Sequence, residues 1–335
     1  MSGGEAKERL PMRAFKRTRA LLVLLVTGAG LVLASSTAAA APVTINLCAV
    51  PGNATLTGAV SVPIWGFGLP TTPGDCSTAT ATLPGPVLSA NEGDLVTVNV
   101  TNALPAGHTI SFEAPGIAFD AGPVDAASGA SVTRTFTAGA PGTYLYQSGG
   151  DGGRQEAMGL YGALIVRSLA ANQAYDSAAT AYDVDAPLVL SAVDPAFNAT
   201  ADPNTFDMYH YRATYWLING KAYPDTAPIT AAAGQRVLLR YLNAGYDNTS
   251  MLLLGMHEHV VARDARLLGS AFDAAAETIP AGATEDAIAT VPPGAGPSTH
   301  GFPLYNRQLH LTNGDQTGTS PTPAGGGGML TFIHS

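Results

Sequence analysis

Charge is scarce in this 335-residue chain: Asp, Glu, Lys and Arg together make up 12% of it. Positive charge is scarcer still. Six of the sixteen Lys and Arg side chains lie in the first 19 residues, leaving ten basic against 23 acidic residues from Pro42 onward, a net charge near −13. Such a surface repels nucleic acid and anionic headgroups, so cationic partners and neutral substrates are the classes left open. Cysteine occurs twice, at Cys48 and Cys76, and not again. Beyond the first 41 residues no charge-free apolar run is long enough to cross a bilayer. Also missing are a long 3.6-residue apolar period, a Gly-rich phosphate loop between strand and helix, a Gly-x-Ser-x-Gly elbow and a zinc-protease motif. Helices are therefore expected to be few and short.

What is present begins with an address. Lys7, Arg9, Arg13, Lys16, Arg17 and Arg19 precede an apolar run from Ala20 to Ala34, followed by Ser35, Ser36, Thr37 and four alanines ending at Ala41. A basic segment, a short apolar segment and a small-residue end read as a secretory leader over residues 1–41, with export to the periplasm or cell exterior. The mature chain is expected to be soluble, without a transmembrane span. In an oxidising compartment Cys48 and Cys76 are expected to pair. A thiolate copper ligand is the sharper reading, but no histidine flanks either cysteine.

Glycine and proline are abundant, and Val, Thr, Ile and Tyr recur in short runs. Val96, Val98 and Val100 alternate with Thr97 and Asn99, and Val132–Phe136 behaves alike; period two puts one face inward and the other in water. A weak internal repeat lays Val87–Val96 over Pro228–Val237 and runs on to Asn102 over Asn243, each copy reading strand, glycine turn, strand, Asn. Each copy closes on a similar strand, 162–166 in the first and 328–332 in the second. The reading is all-β: two tandem Greek-key sandwiches over residues 42–168 and 186–335, with a polar connection over 169–185.

Several segments carry a resemblance. Leu83-Pro84-Gly85-Pro86, the Asn91-Glu92-Gly93-Asp94 turn, Asn102-Ala103-Leu104-Pro105, Pro141-Gly142-Thr143-Tyr144-Leu145-Tyr146 and Met158-Gly159-Leu160-Tyr161 come in that order. Trp216-Leu217-Ile218-Asn219-Gly220 and Val260-Val261-Ala262-Arg263-Asp264 follow in the second half. Together they resemble multicopper oxidases of the laccase type, whose domains are cupredoxin sandwiches. The resemblance spans most of residues 42–335, and it implies histidines at fixed places. The His-x-His position of the first strand falls on Ser111 and Glu113, and the second pair falls on Gln147 and Gly149. In the second half the His-Pro-x-His-x-His-Gly string falls on 249–255, where Thr249, Leu252 and Leu254 replace imidazoles and read as core packing. The blue-copper His-Cys-His segment has no counterpart, because no cysteine follows Cys76. Copper wants imidazole and thiolate, so the resemblance implies the fold while the residues argue against the oxidase cluster. No cofactor is expected.

Other candidates stay open. His257 and His259, two apart in an expected strand Met256–Ala262, read either as a single copper or zinc site, with Met251, Met256, His300 and His310 in reach, or as one packed and one solvated ring. On the first alternative the chain would be a copper-dependent oxidoreductase with a relocated site. The loops that converge in the resembling family imply that Glu113 could pair with Asp151, Arg154 or Glu156, with acid–base chemistry if burial splits a carboxylate pair, while the plainer expectation is a solvated or Arg-bound Glu113. His108 and His210 read as loop residues. Trp65, Phe67, Trp216, Tyr144, Tyr146 and Tyr161 read as core filling, or as a ligand groove. The function expected from these readings is a non-catalytic binding or structural module, and exposed sheet edges offer a route to a protein partner or to self-assembly.

Overall fold

Strand alternation and glycine turns generate the fold in two similar halves. The structure, a computed structural model, describes residues 41–122, 124–292, 301–314 and 327–335. The expected leader, apart from Ala41, and His300 lie outside the described residues. In the first half the strands are β1 (Pro42–Leu56), β2 (Val60–Gly68), β3 (Leu88–Asn91), β4 (Leu95–Asn102), β5 (Ile110–Ser111), β6 (Asp125–Ala126), β7 (Ser131–Thr137), β8 (Gly142–Gln147) and β9 (Tyr161–Arg167), with a short helix α1 (Arg154–Met158) before β9. Sheets ordered β2-β1-β4-β7 and β3-β9-β8 enclose one core. The parallel pairs β1 with β4 and β3 with β9 join strands distant in sequence, as a Greek key requires. Val96, Val98 and Val100 all point inward from β4, as their spacing predicts.

The second half repeats the plan with β10 (Val184–Val193), β11 (Tyr215–Ile218), β12 (Ile229–Thr230), β13 (Arg236–Asn243), β14 (Thr249–Leu253), β15 (Glu258–Arg263), β16 (Arg266–Ala274), β17 (Ala276–Ile279), β18 (Thr284–Thr290), β19 (Phe302–Asn306) and β20 (Leu330–His334). The sheets run β11-β10-β13-β18-β15-β16 and β12-β20-β19-β14-β17. Between them lie Val237, Leu239, Tyr241, Met251, Leu253, Leu304 and Ile333. The internal repeat is physical. Gly93 and Gly234 both sit at positive φ, where a side chain would be strained. Asn102 and Asn243 are fully buried, and each donates its amide to two backbone carbonyls while accepting from a backbone N–H two residues on. The same residue clips the same loop in both halves.

Cys48 and Cys76 are disulfide-bonded, tying β1 to the loop after β2. The two halves pack into one compact unit. Leu56, Val62 and Ile64 meet Val193, Tyr215 and Leu217, while Leu145, Tyr161 and Ala163 meet Val189 and Leu242. A polar lock crosses the same boundary. Thr143 donates to Asp286 and accepts from Arg240, which also holds Asp185 at 2.6 Å, and both Arg240 and Asp286 are buried. The polar stretch after Ser168 is not a bare tether, for Ala174 and Tyr175 are buried and Tyr175 donates its hydroxyl to Asp286. Trp65, Phe67, Tyr144, Tyr146, Tyr161 and Trp216 are all buried, so their work is core filling rather than a groove.

Candidate functional site

The four first-half positions converge. Strand β5 delivers Ser111 and then Glu113 to one side while Phe112 turns into the core between them. An antiparallel bridge joins Glu113 to Gln147, with reciprocal backbone bonds of 2.9 Å, and brings in the end of β8. Ser111 Oγ donates to Glu113 Oε1 at 2.9 Å and accepts from the Gly149 N–H at 3.0 Å. A Cβ placed on Gly149 would lie 3.2 Å from Glu113 Oε1, so a side chain there would meet that carboxylate directly. Gln147 Nε2 donates to Glu156 Oε1 at 2.7 Å. Burial, and then the Glu113 charge, push the Glu156 carboxyl up to about 7.

Beneath this surface runs a second polar layer, part of which the sequence reading missed. Ser148, buried, accepts from the Ser111 N–H and donates to Gln155 Oε1. Gln155 is fully buried and reaches back to Thr109 O and Asp151 Oδ2. Asp151 sits 2.8 Å from His108 Nδ1, and hydrogen bonds from Gln155, Asn204 and His108 outweigh its burial and hold its carboxyl below the usual range. His108 was expected to be an isolated loop residue; it is instead buried, paired with Asp151 and set edge-on to Trp65 at 4.6 Å. Its position before a strand gave no sign of this, because the partner lies 43 residues on. Glu113 makes no hydrogen bond to Asp151, Arg154 or Glu156; Ser111 is its partner. The layer opens on a pocket of about 310 Å³ lined by Ser111, Glu113, Asp125, Gly149 and Asp151 among others.

In the second half Thr249, Met251 and Leu253 point into the core from β14. The expectation that Leu252 and Leu254 also pack there is wrong: strand alternation turns them to the other face, where Leu252 is half-buried and Leu254 is 54% exposed. His257 is exposed and lies just before β15, which begins at Glu258 rather than Met256. His259 places Nδ1 2.7 Å from Asp273 Oδ1 on β16. Met251 is buried in the core, and His310 stacks on Trp216 at 4.5 Å, where burial lowers its basicity. His210, exposed, sits in a short 3-10 turn beside Asp207.

The fold and the first-half motifs have known counterparts. Residues 70–171 match the sequence model of the multicopper oxidase family. The blue copper oxidase from Nitrosomonas europaea superposes with a TM-score of 0.70 at 22% identity, covering 87% of this chain and 85% of that one. A multicopper oxidase, mgLAC, gives 0.69 at 21% identity over 88% and 86% of the two chains. The copper nitrite reductase from Nitrosomonas europaea gives 0.65 at 20% identity over 88% and 93%. These likenesses establish the cupredoxin-like fold. No curated protein matches the sequence.

The family resemblance implies copper, and the residues present do not fit it. Copper sites are built from imidazole, thiolate and thioether donors. Here the converging positions offer a hydroxyl, a carboxylate, an amide and a glycine, and the first three are hydrogen-bonded to protein groups. Among the described residues no group of three or more His, Cys, Asp or Glu side chains is placed to hold a metal ion.

Proposed function

We propose that this chain is a cupredoxin-fold protein that assembles no oxidase copper cluster and works outside the cytoplasm as a non-catalytic binding or structural module. The observation that carries the reading is that Ser111 bonds Glu113 and Gly149, and Gln147 bonds Glu156, with the Glu113–Gln147 backbone bridge joining the two sets, at the place where the family's ligands would meet. A cluster that reduces oxygen must accept and store electrons on several metal ions. A set of neutral and anionic oxygen donors does neither. The disulfide and the leader-like first 41 residues support an oxidising compartment.

Partner binding has a structural route. Among the described residues strand β16 ends its sheet with one side unpaired, and Leu267 and Phe272 on it are 48% and 38% exposed. Such an edge can accept a strand from another chain. The catalytic side of the proposal is tested by oxygen uptake. Protein reconstituted with cupric ion and freed of loosely held metal should consume no oxygen above buffer with phenolic or ferrous donors. Sustained uptake that a copper chelator abolishes would overturn it.

A further inference from the structure

A cleft lies where the two sandwiches meet, away from the Ser111–Glu113 pair. It has a volume of about 480 Å³, and its walls include Pro115, Leu145, Asp264, Arg266, Ala281 and Ala283. We propose that this cleft binds a small organic carboxylate whose charge is taken by Arg266. The site is separate from the converged ligand positions, and the inference stands whether or not copper binds there.

Among the cations lining the cleft, Arg263 and Arg266, the charge inventory singles out Arg266. Residues 42–335 carry ten basic side chains against 23 acidic ones, and most of the ten are committed. Arg240 holds Asp185, Arg263 holds Glu277 and Glu285, and Arg167 holds Asp185. Among the described residues the Arg266 side chain makes no hydrogen bond or salt bridge. It stands across the β15–β16 ladder from Arg263, a like-charged neighbour that gives it nothing to pair with. A guanidinium left unpaired in an acidic protein, on the wall of this cleft, is a ready carboxylate receptor.

The geometry also fixes the backbone that carries Arg266. Asp264 and Ala265 both have positive φ and form the tight two-residue turn between β15 and β16. Ala265 is buried against the first-half core, and a Cβ on Gly142 would come within 2.6 Å of its own Cβ. Asp264 Oδ1 accepts from the Thr284 N–H, and Thr284 Oγ1 donates to Thr143 O across the boundary. The turn is therefore clamped on both sides, and the residue following it is delivered at a fixed point.

The lining selects the ligand class. Leu145, Pro115, Ala281 and Ala283 supply an apolar wall, so the ligand has a compact apolar body as well as a charge. One uncommitted arginine, beside Asp264 and an Arg263 already neutralised by Glu277 and Glu285, in a strongly acidic chain, suits a monoanion and disfavours phosphate or other multiply charged groups.

Benzoate is the probe. Titrated into the full mature protein and followed by amide chemical shifts, it should give a saturable shift at Gly282 and Ala283. The neutral isostere benzamide should bind about tenfold more weakly or worse, as should benzoate to the exposed-site variant Arg266→Gln. Ala281→Phe keeps the arginine but fills the cleft, and should also abolish binding. Unchanged thermal unfolding of both variants excludes misfolding as the cause. No saturable shift with benzoate, equal affinity for benzamide, or binding that Arg266→Gln leaves intact would each overturn the proposal.

Discussion

Glu258 is fully buried at the start of β15, facing the core of the second sandwich. Tyr241 donates its hydroxyl to Oε1 at 2.7 Å, and Oε2 has no partner. Burial is the largest influence on this carboxyl; the Tyr241 bond opposes it, Glu285 and Glu277 add repulsion, and the result is a rise from 4.5 to about 8. The folded chain thus holds a proton that the unfolded chain releases above pH 4.5, so Glu258's contribution is intact in acid and is lost as pH rises toward 8. Linkage puts the loss at about 1 kcal/mol at pH 5, about 3 at pH 7 and about 5 at pH 9. Glu258→Gln keeps the volume and an acceptor for Tyr241 but has nothing to ionise. Urea unfolding at pH 5 and pH 9 should show the variant gaining about 4 kcal/mol on the parent across that interval. A smaller slope of the same sign should persist in the variant, because Glu285 and Glu156 are each raised to about 7. Parallel pH profiles for parent and variant would refute the reasoning.

Two further outcomes follow from the same structure. Asp286→Asn removes the charge that faces buried Arg240 and answers Thr143 and Tyr175, and should cost about 3 kcal/mol in urea unfolding while keeping a single transition for both halves. Asn102→Ala and Asn243→Ala each delete three hydrogen bonds from a buried loop clip; each should cost about 2–3 kcal/mol, and the two costs should agree within about 1 kcal/mol, since the clips are equivalent.

The features legible in the sequence are those set by local chemistry. Alternating valines gave β4, glycines at fixed places in each copy gave the turns, and the repeated Asn gave the paired clips. That Ser111, Glu113, Gln147 and Gly149 carry no imidazole is plain from residue identity; that they stand at the family's ligand positions is what the resemblance implies. Burial set by distant partners could not. His108 depends on Asp151, Tyr175 on Asp286 more than a hundred residues later, and both look like loop residues when only neighbours are visible. Glu258, flanked by two histidines, reads as part of a polar strand, yet alternation turns it into the core and leaves His257 and His259 outside. Leu254 errs in the other direction: its hydrophobicity suggested the interior, while strand phase sends it to solvent.

The central claim concerns what the converged positions can hold. Elemental analysis of the mature protein after incubation with excess cupric ion under non-reducing conditions, then dialysis against a weak chelator, measures copper per chain directly. The account predicts a ratio indistinguishable from zero, with the protein folded throughout. Retention of several copper ions per chain, lost when Glu113 and Gln147 are replaced by alanine, would contradict it.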